Sequence, residues 1–160
     1  MADIAVINTS PLIFFSRSGH MDILHHFAER ILVPKPVADE IQARGTEDVT
    51  AKSIHESDWL EVTASPEIPE IIQNWGLGPG ESSVIALAKK HSCEAIIDDL
   101  AGRRCAASLG IPLRGTLGIV LTAKKRGIIP HARSIMEDMM REGLYLSRTV
   151  LDRALGKIDE

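Results

Sequence analysis

Short apolar runs that alternate with helical patterns constrain this chain more than any other feature. Residues 3–7, 31–33, 95–97 and 111–113 are too short for helices and carry few polar side chains, as strands covered on both faces do. Residues 59–62 alternate apolar and polar, the pattern of a short edge strand. The segments between them read as helices. Ser10-Pro11 is a helix start, with Ser10 capping and Pro11 at the first helical position. Gly19 interrupts that helix and residues 20–27 resume it. Pro34 and Pro36 open another, with Val37 and Ile41 on one face and Glu40 flanking that face, and Gly45 ends it. Residues 47–57 read as a polar helix, residues 65–80 as a connection holding one helix, and Glu81 opens a strong helical run with Val84, Ile85, Leu87 and Ala88 inward. Two more helices follow the last two strands, and residues 131–160 form a C-terminal helical extension packed on the core. Alternation of this kind calls for an α/β fold: a mostly parallel sheet of about four or five strands with helices on both faces, in a single domain over residues 1–160.

Five polar residues punctuate that pattern. Asn8, Glu40, Glu81 and the pair Asp98-Asp99 lie far apart in sequence, yet each stands at or near a helix opening, and three of these positions follow an apolar run. In parallel α/β folds the carboxyl ends of the strands and the first turns of the following helices converge on one crevice, where ligands bind. Carboxylates gathered there repel one another unless a cation joins them. An oxygen-only donor set without matching His and Cys suits Mg²⁺ or Mn²⁺ rather than zinc.

Composition narrows the partners. The formal net charge is -4 and only 4% of residues are aromatic. A tight, nonspecific, phosphate-driven DNA binder is therefore not the natural reading, base stacking is not expected to dominate, and any nucleic acid must be met by a local basic patch. Cys93 and Cys105 fit neither a Cys-x-x-Cys redox motif nor a zinc array, and the opening residues lack the basic and long apolar stretches of a signal peptide. The expectation is a cytoplasmic protein without membrane association.

The order Val6-Ile7-Asn8-Thr9-Ser10-Pro11-Leu12-Ile13, Val37-Ala38-Asp39-Glu40-Ile41, Gly78-Pro79-Gly80-Glu81, Ile96-Ile97-Asp98-Asp99 resembles the PIN domain superfamily over nearly the whole chain. Asp99-Leu100-Ala101-Gly102-Arg103-Arg104 and Gly115-Thr116-Leu117-Gly118 look like an uncharacterised PIN-like branch related to VapC-type toxin ribonucleases. The resemblance implies a PIN-like three-layer sandwich and a metal-dependent nuclease acting on single-stranded RNA. It also implies a homodimer, and an antitoxin protein as partner. By the same resemblance Asn8 falls where the family usually has its first catalytic aspartate, Glu40 at the second acid, Glu81 at the third and Asp99 at the fourth, with Asp98 able to trade places with Asp99. Glu40, Glu81 and Asp99 are the implied metal ligands. The amide at position 8 can still ligate a metal but brings no charge, so a catalytically silent PIN-like binding module is the alternative.

Other residues carry weaker readings. Ser10 is a cap that also faces the cleft. Thr116 either caps its helix or contacts phosphate, and Arg103 is either a phosphate contact or a surface charge. The adjacent His25 and His26 cannot face one another on a helix and so make a poor metal site. Met136, Met139 and Met140 belong to a helix face packed on the body or on a second subunit. A phospho-receiver shares the alternating pattern but places an acid pair after its first strand and a lysine after its last. Here Asn8 and Arg114-Gly115 stand at those places.

Overall fold

A computed structural model describes residues 2–160. In chain order the elements are β1 (Ala2–Ile7), α1 (Thr9–Arg17), α2 (Met21–Phe27), β2 (Ala28–Pro34), α3 (Lys35–Gln42), α4 (Val49–Glu56), β3 (Leu60–Thr63) and α5 (Glu70–Gln73). They continue as α6 (Pro79–His91), β4 (Glu94–Ile96), α7 (Leu100–Ser108), β5 (Leu113–Arg114), α8 (Thr116–Lys125), α9 (Arg133–Arg141) and α10 (Arg148–Gly156). The strands form one all-parallel sheet in the order β3-β2-β1-β4-β5. This is the α/β architecture expected from the alternation. It also departs from the phospho-receiver, whose strands follow the order 2-1-3-4-5.

The central strands show why they read as continuous apolar runs. Successive strand residues point to opposite faces, yet Ala5, Val6 and Ile7 are all fully buried, as are Ala95, Ile96 and Ile97. Helices therefore cover both sides. At the edge, β3 is less covered: Leu60 is buried, while Val62, two residues on and on the same face, is half exposed. Val37 and Ile41 of α3 and Val84, Ile85, Leu87 and Ala88 of α6 turn into the same core. Met136 and Met139 are fully buried and Met140 packs against them, so this methionine face is taken up by the protein's own core rather than offered to a second subunit. His25 stacks on Trp59 with ring centroids 4.4 Å apart and 4° between planes, which gives it a packing role at the start of β3.

Two helix starts differ from the sequence expectation. Helix α1 begins at Thr9, so Asn8 rather than Ser10 takes the cap position, and Ser10 is exposed in the first turn. The reason is backbone pairing: Asn8 N donates to Ile96 O at 3.0 Å, which keeps Asn8 extended to the last residue before the helix. Helix α6 begins at Pro79, not Glu81, because Gly78 caps it and proline is preorganised for the first turn.

The C-terminal segment is tied down by a long-range cap. Glu160 accepts hydrogen bonds from Ala132 N at 2.7 Å and Arg133 N at 3.2 Å, where α9 opens, and from Lys124 Nζ at 2.9 Å. Burial alone would raise its pKa, but these donors outweigh burial and hold it at about 2. A depressed carboxylate contributes stability above its ordinary value of 4.5 and loses it as pH falls toward about 2. Glu160→Gln is expected to cost about 1–2 kcal/mol at pH 7, read by denaturant unfolding, with the gap to wild type shrinking below pH 4.5. A gap that stays constant through that range would contradict the assignment.

Candidate active site

The strand order reverses between β1 and β4: β2 and β3 extend the sheet on one side and β5 on the other. Crevices of open α/β sheets form at such a switch point. Asn8 leaves the end of β1, Asp98 and Asp99 follow β4, Glu40 sits on the helix after β2, and Glu81 lies in the first turn of α6. The topology thus carries all five residues to one end of the sheet.

Two glycines show how closely the elements meet there. A Cβ on Gly80 would lie 2.8 Å from Glu40 Oε1, 3.4 Å from Asn8 Oδ1 and 3.5 Å from Val37. A side chain there would have to push the Glu40 carboxylate aside, so the start of α6 lies directly against Asn8 and Glu40. A Cβ on Gly102 would lie 3.1 Å from Ile97, 3.7 Å from Asp99 Oδ2 and 3.8 Å from Glu81 Cγ. Asn8 and Glu40 meet at Gly80, Glu81 and Asp99 meet at Gly102, and Glu81 follows Gly80 in the chain.

Each acid is held by a different partner. Thr9 Oγ1 donates to Glu40 Oε2 at 2.8 Å, Gly78 N to Glu81 Oε2 at 3.0 Å, and Gly102 N to Asp99 Oδ2 at 3.0 Å. The bond from Gly78 is half of a capping box, since glycine has no side chain to return it. Among the described residues the second oxygen of each of these three carboxylates has no hydrogen-bond partner. Asn8 is 5% exposed, and its side-chain amide has no partner among the described residues. An uncharged, unpartnered oxygen near Glu40, together with half-engaged Glu81 and Asp99 at the same end of the sheet, offers oxygen donors of the kind a hard divalent cation takes. Held by their present hydrogen bonds, no three acidic, His or Cys side chains among the described residues stand close enough to share one metal ion.

Asp98 differs from Asp99. Its Oδ1 accepts from Thr116 N at 2.8 Å and its Oδ2 from Thr116 Oγ1 at 2.6 Å. The two neighbouring aspartates therefore hold two different helix starts: Asp99 caps α7, and Asp98 reaches across to α8, whose own cap residue is Gly115. Thr116 is fully buried, so its hydroxyl belongs to Asp98 and not to a bound phosphate in this conformation. Arg103 donates to Ile97 O at 2.9 Å and lies over Gly115, where a Cβ would come within 2.8 Å of its guanidinium and 3.1 Å of Asp98 Oδ1.

The sequence reading passed over Thr9, Gly80 and Gly102. Thr9 stands in a hydroxyl pair with Ser10, and nothing local says which one reaches across to α3. The glycines had a signal, since each interrupts a helix's first turn where another residue would raise helix propensity. The cysteines stand apart from this chemistry. Burial, with Glu94 adding to it, pushes the Cys93 thiol up to about 11, and burial raises Cys105 as well, so neither is a ready nucleophile at neutral pH.

A family model described as PIN domain matches residues 4–160, and the chain belongs to the PIN-domain family. That membership leaves the phospho-receiver reading without support. No curated protein matches the chain. No helix among the described residues is long and apolar enough to cross a membrane.

Removing the buried hydroxyl that Asp98 accepts should be costly. Thr116→Val is expected to destabilise the fold by about 1–3 kcal/mol, measured by chemical denaturation, with secondary structure retained by circular dichroism. Wild-type stability in that variant would show that Asp98 does not hold the start of α8.

Proposed function

We propose that this PIN-domain protein is a metal-dependent endoribonuclease that cuts single-stranded RNA. The observation that carries the reading is the pair of side-chain-free contacts at Gly80 and Gly102, the first beside Asn8 and Glu40 and the second beside Glu81 and Asp99. Glu40, Glu81 and Asp99 would hold the ion through their unpartnered oxygens, with Asn8 adding a neutral amide oxygen. Mg²⁺ or Mn²⁺ bound there supplies a nucleophilic water and relief of charge on the leaving oxygen. The chain's own groups set the geometry. Thr9 orients Glu40, the Gly78 amide orients Glu81, the Gly102 amide orients Asp99, and Asp98 holds the β5–α8 turn against Arg103. Ser10 is exposed at the first turn of α1 and Arg103 is partly exposed, so both are open to the RNA strand. The proposal extends to a toxin held in check by an antitoxin protein, to a homodimer and to a cytoplasmic setting. Support for these comes from the likeness of residues 99–104 and 115–118 to VapC-type relatives.

The test is cleavage of a labelled single-stranded RNA in Mn²⁺. Wild type should cut it, EDTA should stop the reaction, and Glu81→Ala should abolish both cleavage and Mn²⁺ binding. Full activity in Glu81→Ala would remove Glu81 from the site.

One observation favours a second reading, a silent module that keeps the crevice without the chemistry. Asn8 is buried and neutral where a charge would strengthen cation binding. Asn8→Asp separates the two. A buried, unpaired carboxylate lowers the stability of the metal-free protein, whereas the added charge tightens Mn²⁺ binding by about tenfold or more. The variant should therefore melt below wild type in EDTA and recover in Mn²⁺. A silent wild type that gains cleavage on Asn8→Asp supports the module, and equal melting of both proteins in both conditions places position 8 outside the ion's reach.

A further inference from the structure

A pocket of about 380 Å³ includes in its lining Asp98, the chain neighbour of the proposed ligand Asp99. Arg103 and Arg114 stand on its wall, Gly115 and Leu117 contribute backbone and apolar surface, and Tyr145 stands at the rim. The charge is notable in a chain of net charge -4. Arg114 is only loosely engaged, with its Nε 3.8 Å from Glu94 Oε1 and 45% of its side chain exposed. Arg103 Nη1 both donates to Ile97 O and lies against the Gly115 turn, and its other guanidinium nitrogens have no hydrogen-bond partner among the described residues. Tyr145, the chain's only tyrosine, is 96% exposed.

An aromatic ring left in water beside two guanidinium groups is the combination that single-stranded nucleic acid uses. Guanidinium takes the phosphate, the ring takes the face of a base, and no sequence-specific contact is needed. Building on the ribonuclease reading above, we propose that this pocket binds the nucleotide next to the bond being cut, with its phosphate on Arg103 and Arg114 and its base stacked on Tyr145. The bare Gly115 lets Arg103 and Asp98 both lie against the pocket's turn. A methyl group there would press on both Arg103 and Asp98.

The test is the binding of a short labelled single-stranded RNA by fluorescence anisotropy in EDTA, which separates binding from cleavage. Tyr145→Ala is expected to weaken binding by about tenfold or more, while Tyr145→Phe keeps it. Arg114→Ala should weaken binding and lower the salt dependence by about one counterion. The exposure of both residues makes unchanged melting temperatures the expected control. Wild-type affinity in Tyr145→Ala, or no RNA binding by wild type, overturns the proposal. Displacement of the RNA by an acidic peptide of equal length, as effective as by unlabelled RNA, would assign the pocket to a protein partner and also overturn it. The two readings fail separately. RNA that is cut in Mn²⁺ equally well by Tyr145→Ala and wild type removes the pocket and leaves the nuclease. Tyr145-dependent binding without cleavage in Mn²⁺ leaves the pocket and removes the nuclease.

Discussion

One backbone hydrogen bond, from Asn8 N to Ile96 O at 3.0 Å, sets what the rest of the site can be. It carries the β1–β4 pairing one residue past the last strand position, so the two central strands end side by side. Asn8 and Asp98-Asp99 then leave the sheet next to one another. Ile97 N bonds Arg114 O at 3.0 Å in the same manner, and this brings the Gly115 turn beside Asp98. A one-residue slip of this pairing would move Asn8 out of line with Asp98-Asp99, so the β1–β4 register also fixes where the acids emerge.

From that base the site is assembled by helix ends. Four carboxylates lie close to helix starts, and three of them accept a backbone N–H there: Glu81 from Gly78, Asp99 from Gly102 and Asp98 from Thr116. Such bonds stabilise a carboxylate at a helix N-terminus by a modest amount. They also orient the acids, so that structural capping and candidate metal ligation draw on the two oxygens of the same side chains. This dual use explains why the carboxylates are near one another without already forming a closed cluster.

Much of this was legible in the sequence. Strands β1, β2 and β4 announce themselves because both of their faces are buried, leaving uninterrupted apolar runs, and α3 and α6 do so through their apolar faces. The positions of Asn8, Glu40, Glu81 and Asp98-Asp99 at the ends of those runs pointed to the crevice. What the sequence could not convey depends on partners distant in the chain. Ser10 looked like a cap because proline follows it, but the pairing of Asn8 to β4 moved the helix start by two residues. The different tasks of Asp98 and Asp99 depend on Thr116, eighteen positions along. Glu160 on the start of α9 and Thr9 on Glu40 are equally long-range. Local propensity carries no information about any of them.

The central claim is that the residues gathered at the β1–β4 switch point form a seat for a divalent cation. Anomalous diffraction from crystals soaked in Mn²⁺ tests it most directly. The account predicts a single strong peak bounded by Asn8, Glu40, Glu81 and Asp99. Well-diffracting crystals that bind Mn²⁺ only elsewhere, or not at all, would contradict it.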